Sequence, residues 1–217
     1  MKKIIPLFVV VLVISFKSYS QTDGTAFAQK VADAYGIKKF KKAKSMSFTF
    51  NVKRDNFPST YRSWDWNIEQ NTVTMTTPKQ TVTYRRDTIQ SADMKSVDGR
   101  FINDQYWLIF PFHTVMDKGC TLTQKDNVTS PIGKAKSTML TVQYNNVDGY
   151  TPGDAYDLYV DKNYMVTEWV YRSKGVAKPS LNTKWENTVK NKGVKTATNY
   201  PSEDGKFRIY FTGISIK

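Results

Sequence analysis

The stretch Asp98–Gly119, DGRFINDQYWLIFPFHTVMDKG, decides how the rest of this 217-residue chain is read. Asp98-Gly99 is a turn signal, and Tyr106 to Phe112 is an unbroken run of seven apolar or aromatic residues between polar flanks. The alternation of period two seen elsewhere stops here. The run therefore predicts a short buried helix ending near Pro111, where a missing N–H interrupts helical bonding. An otherwise all-strand chain broken once by a bulky aromatic plug points to a sheet curled around something apolar.

Outward from this plug, strands follow one another. On the N-terminal side Met46, Phe48, Phe50 and Val52 alternate with Ser45, Ser47, Thr49 and Asn51, the pattern of a half-buried strand. Trp64, Trp66 and Ile68, then Val73 and Met75, then Val82 and Tyr84 alternate with polar residues in the same way. Breaks are expected at Asn56-Phe57-Pro58 and Thr77-Pro78-Lys79, so the four segments read as an antiparallel meander. On the C-terminal side Leu140, Val142 and Tyr144 form a strand ending at Val147-Asp148-Gly149. A hairpin then carries Tyr156, Leu158 and Val160 outbound and Met165, Trp169 and Tyr171 on the return, turning at Asp161-Lys162-Asn163. Segments 181–189, 194–200 and 206–216 supply the last strands. A phase slip at Thr212-Gly213 predicts a bulge that bends the final one.

The N-terminal end is different. Lys2 and Lys3, the apolar run Ile4 to Phe16, and the small residues of Ser18-Tyr19-Ser20 read as a signal peptide over residues 1–20. The run is short for a membrane span, and no cysteine lies near the cut to carry a lipid anchor. The expected mature chain is a single domain, residues 21–217, in the periplasm or cell envelope or secreted. It opens with a helix capped by Thr25, running through Phe27, Val31, Ala32 and Tyr35 to a stop at Gly36. In the following GIKKFKKAK, Lys38, Lys39, Lys41, Lys42 and Lys44 crowd around Ile37 and Phe40. This segment is either a solvated helix edge or a patch for an anionic membrane surface.

The formal charge of +13 becomes +10 when Lys2, Lys3 and Lys17 leave with the signal. Behind a signal peptide nucleic acid is not an expected partner. Cys120 is alone, so no internal disulfide forms and the fold rests on packing. His113, Asp117 and Cys120 are close in sequence but flank a greasy segment and lack the context of a nucleophile motif. Asp148, Asp154, Asp157 and Asp161 do not match a calcium-loop spacing, and Asp157 is expected to point outward. The expectation is no catalysis, no cofactor and no metal.

The fold expected is mainly β (α+β): a strongly curved antiparallel sheet or incomplete β-barrel with an N-terminal helix and a mid-chain helical lid. The order of elements, with the segments INDQYWLIFPFHTVMDKG and YDLYVDKNYMVTEWVY, resembles the LolA/LolB-like outer-membrane lipoprotein carriers and related exported proteins. The resemblance implies a barrel open on one side, helices over the opening, and an apolar hollow that takes acyl chains. It places Tyr106, Trp107, Leu108, Ile109, Phe110 and Phe112 in the covering segment and Phe48, Phe50, Trp64, Trp66 and Ile68 on the inner wall. The expected ligand is a lipid, a lipoprotein acyl chain or another apolar molecule. The alternative is a scaffold protein whose rings fill a dry core. The ligand-binding residues expected are Phe48, Phe50, Trp64, Trp66, Ile68, Tyr106, Trp107, Phe110 and Phe112.

Overall fold

The computed structural model describes residues 21–89, 91–147 and 151–217. The signal-peptide segment and the Asp148-Gly149 turn lie outside the described residues. Strand β1 (Thr22–Asp23) leads into helix α1 (Thr25–Tyr35) and the single turn α2 (Ile37–Phe40). Thr25 is the first helical residue rather than the cap. The Asp23 carboxylate accepts from the Thr25 backbone N–H at 3.0 Å and from its hydroxyl at 2.8 Å. Gly36 ends α1 as expected, at φ 92°. A side chain there would also put its Cβ 2.2 Å from the Gly193 carbonyl.

The meander is present as β2 (Ser45–Arg54), β3 (Phe57–Asn67), β4 (Thr72–Thr76) and β5 (Thr81–Arg85), each antiparallel to the next. Phe57 and Pro58 belong to β3 rather than to a loop, because the chain turns at Asp55-Asn56, with Asn56 at φ 63°. Cross-strand pairs Phe48↔Trp64 and Trp64↔Met75 set one buried face. After the central helix come β6 (Cys120–Thr129), β7 (Lys136–Tyr144), β8 (Ala155–Val160), β9 (Val166–Arg172) and β10 (Leu181–Lys184). Four more follow: β11 (Val189–Asn191), β12 (Val194–Thr196), β13 (Asn199–Pro201) and β14 (Phe207–Ile216). β14 returns to lie beside β2, pairing Phe211 with Phe50, and its register shifts between Thr212 and Ser215 where Gly213 sits at φ 62°. That is the expected bulge.

Two six-stranded sheets result, ordered β1-β6-β7-β8-β9-β10 and β13-β14-β2-β3-β4-β5, with β11-β12 as a separate pair. Single bridges Thr183↔Ser202 and Glu186↔Asn199 join β10 to the region of β13, making one wall of the two sheets. Among the described residues β1, at one far edge, pairs only with β6, and β5, at the other, only with β4. The wall is open and does not close into a barrel.

The central helix α3 runs from Ala92 to Met116, 25 residues, far longer than the short segment expected. Ser91 caps it by accepting from the Met94 N–H at 3.2 Å, and the helix passes straight through Asp98-Gly99. Gly99 meets nothing within 4 Å of a built Cβ, so its place is on an open face and no turn is forced. Pro111 does disturb the helix: Ile109 leaves helical geometry (φ −123°, ψ 21°), as the proline ring crowds the carbonyl four residues back. Flanking burial nevertheless carries the helix on to Met116. Its rings meet both sheets. Phe101 packs on Trp64 and Trp66 of β3, Trp107 on Trp169 of β9 and Tyr200 of β13, and Phe110 on Tyr156 of β8.

Asp104 fixes how α3 sits. Fully buried, it accepts two bonds from the Arg62 guanidinium at 2.7 Å, one from the Trp64 indole N–H at 2.8 Å and one from the Asn103 amide at 3.0 Å. Burial pushes the Asp104 carboxyl up from its ordinary range, and the four donors oppose that push. Removing the carboxylate would strand a half-buried guanidinium and a buried indole N–H. Asp104→Ala is therefore expected to destabilise the protein by about 3–5 kcal/mol in urea unfolding. A loss below about 1 kcal/mol, the range of a surface pair, would contradict this role.

Candidate functional site: two grooves along the central helix

Because α3 is one helix wide, it does not fill the space between the two halves of the wall. A groove of about 380 Å³ lies on the side of β8, β9 and β10, lined by Ile102, Tyr106, Trp107, Tyr156, Trp169 and Tyr171, with Gly99, Asn103, Thr151, Asp154 and Leu181 completing it. A second, of about 560 Å³, lies on the side of β2, β3 and β14. Its walls include Phe50, Val52, Phe57, Phe207 and Ile209, with Arg54 and Arg62 among them. Asn103 and Trp107 line both, so these two side chains form the divide. Phe57, 70% exposed, stands at the rim of the second groove.

The nine residues expected to bind ligand separate into three groups. Trp107 lines both grooves, Tyr106 the first and Phe50 the second. Phe48, Trp64, Phe110 and Phe112 are buried and in ring contact with Phe211, Phe101, Tyr156 and Phe40 respectively. They line neither groove. Trp66 and Ile68 are half-buried against the same core, and Trp66 borders a smaller recess of about 220 Å³ among polar strand residues. The aromatic residues of the first groove that the sequence did not single out as a site are Tyr156, Trp169 and Tyr171 in the β8–β9 hairpin. Their ring-bearing alternation was visible, but nothing local said that α3 would face them. Trp169 keeps its buried indole N–H without an acceptor among the described residues.

The polar groups near the C-terminal end of α3 bond one another. His113 has Nδ1 at 2.7 Å from Asp117 Oδ1 and Nε2 at 2.9 Å from Gln105 Oε1, so both ring nitrogens are engaged. Tyr106 and Tyr144 donate their hydroxyls to Asp117 Oδ2 at 2.5 and 2.7 Å. Burial and then the Asp117 charge push the Tyr106 hydroxyl far up. Cys120 is half-buried, and burial followed by the same carboxylate pushes its thiol up, the reverse of what a nucleophile needs. In the acidic cluster, Asp157 is not outward-facing. It is buried, accepting from Thr141 at 2.6 Å and from Arg172 at 2.8 and 3.0 Å. Asp161 accepts the backbone N–H groups of Asn163 and Met165 and so shapes its turn. Asp148 lies outside the described residues. Among the described residues no three His, Cys, Asp or Glu side chains come together as metal ligands.

Lys38, Lys39, Lys41, Lys42 and Lys44 are all exposed, while Ile37 and Phe40 are buried. Within that segment the apolar face is spent on the core, and only the charge faces out.

No protein-family profile matches the chain, and a search of curated proteins finds no match. Among solved structures it is similar to a LolA superfamily protein from Nitrosomonas europaea. The identity is 9% and the TM-score 0.49, over 88% of this chain and 93% of that one.

The Asp117 cluster has a pH signature. Burial alone would raise this carboxyl, but the bonds from His113, Tyr106 and Tyr144 outweigh it and hold it below its ordinary 3.8. A depressed folded-state value contributes stability that is present above the unfolded value and is lost as pH falls through the folded one. Urea unfolding between pH 5 and pH 2 (on the order of one unit each side of that window) is therefore expected to show a steeper acid loss in the native protein than in Asp117→Asn. Parallel acid limbs would contradict it.

Proposed function

We propose that this chain is an exported, non-catalytic carrier of the cell envelope that holds a lipid, an acyl chain or another long apolar ligand along the central helix. The observation that carries the reading is the pair of aromatic-lined grooves sharing Trp107. Their volumes lie within the usual range of small-molecule sites, about 300–1,000 Å³. Each buried methylene contributes about 0.8 kcal/mol before ordering costs, so ten offer roughly 8 kcal/mol gross. The sequence layout, which resembles that of lipoprotein carriers, supports the same reading. The signal-like residues 1–20 support export, and the exposed lysines from Lys38 to Lys44 offer electrostatic attraction to anionic head groups.

A dry scaffold is the competing reading, favoured by the tight packing of Phe48, Trp64, Phe110 and Phe112. Titration with dodecyl maltoside below its micelle concentration, followed by tryptophan emission, distinguishes the two. A carrier gives a saturable change, and Trp107→Ala weakens it at least about tenfold, as expected for a central anchor ring. No saturable change would leave the scaffold. Export is checked separately. The intact mass of protein recovered from the envelope fraction of an expressing bacterium is expected to begin near Gln21. A mass retaining Met1, or recovery only from the cytoplasm, would contradict export.

A further inference from the structure

The two grooves differ in charge. The second carries two guanidiniums, Arg54 and Arg62, on its walls. Among the described residues the first is lined by no cation: the one charged residue among them is Asp154, set among Tyr106, Trp107, Tyr156, Trp169 and Tyr171. In a chain of net charge +13 this is a local reversal. Asp154 has no ion-pair partner among the described residues. One oxygen accepts from the Tyr171 hydroxyl at 3.0 Å and the other from the Lys174 backbone N–H at 2.8 Å. Those two bonds hold the carboxylate in place and leave each oxygen with acceptor capacity.

The rings form two walls. Tyr156 lies between Trp169 and Tyr171, with centroids 5.2 and 5.3 Å away and planes inclined by only 34° and 31°. Tyr106 and Trp107 meet them from α3, Tyr106 at 6.5 Å from Tyr156 and Trp107 packed on Trp169 at 4.4 Å. Electron-rich rings around a fixed carboxylate attract an organic cation, because the ring quadrupole and the formal charge act in the same direction. An anionic ligand would meet both with the wrong sign.

Resting on the carrier reading, we infer that the groove beside β8 and β9 takes a cationic head group, an alkylated or protonated amine, with its apolar tail running past Ile102 and Leu181. The test compares three twelve-carbon amphiphiles below their micelle concentrations: dodecyltrimethylammonium, neutral dodecyl maltoside and dodecyl sulfate. Binding is read by tryptophan emission and by calorimetry. The ammonium is expected to bind at least about tenfold tighter than the maltoside, against the attraction that the protein's overall charge exerts on the sulfate. Asp154→Asn is expected to remove that preference while leaving maltoside binding intact. Should that variant fold poorly, as judged by its melting temperature, Tyr171→Leu removes a ring of the cage and is expected to reduce the preference likewise. Equal binding of the ammonium and the maltoside would overturn the inference and leave the carrier reading standing. A preference that survives both substitutions, or tighter binding of the sulfate, would also overturn it. If none of the three binds, both readings fall.

Discussion

A single buried carboxylate sets the geometry on which the rest depends. Asp104 sits on a helix whose neighbours are almost all apolar, and four donors converge on its two oxygens. Hydrophobic contact alone would let a helix slide or rotate in a trough of aromatic rings, because ring-on-ring packing has many near-equivalent arrangements. A bidentate Arg62 and the Trp64 indole, both on β3, are satisfied in one register only. Trp107 lies three residues on, close to the same helix face, so fixing Asp104 also fixes the divide between the two grooves. At the other end of α3 the His113, Asp117, Tyr106 and Tyr144 cluster ties the last turns to β7 through Tyr144. The helix is held at two points along its length, and the grooves run beside it.

A helix suits that position for a simple reason. Its backbone hydrogen bonds are internal, so it can be buried against two sheets without asking either for partners. An extended segment there would have to pair with an edge. The edges that remain, β1 and β5, stay apart, and the wall is open rather than closed. Openness leaves room beside the helix, and the rings lining that room come from both the helix and the wall.

Much of this architecture was legible in the sequence, because alternation of period two is a local signal. The meander from Ser45 to Arg85, the β8–β9 hairpin, the Gly36 stop and the bulge near Gly213 all followed from residues within a few positions of one another. The length of α3 did not. Asp98-Gly99 carries the chemistry of a turn, yet the capping Ser91 and the burial of Phe101 and Ile102 extend the helix through it. Pro111 reads as a terminus but acts as a kink. Strand β6 was missed because its sequence, CTLTQKDNVT, carries few apolar residues and is half exposed. The site was only partly legible. Which rings face a groove and which face one another depends on where the helix is seated, and that is decided by Asp104, one polar letter between Asn103 and Gln105 in the flank of the apolar run. The same non-local pairing with Arg172 and Thr141 turned Asp157 inward.

Helix α3 is an integral part of the core, pinned at Asp104, with the two grooves beside it rather than beneath it. Hydrogen–deuterium exchange of the ligand-free protein, resolved to peptides, tests this most directly. The amides from Phe101 to Phe110 are expected to exchange as slowly as those of β2 and β8, near the limit set by global unfolding. Exchange across that stretch as fast as at the β2–β3 hairpin tip, with β2 and β8 still protected, would mean that the helix detaches as a unit and is not pinned at Asp104.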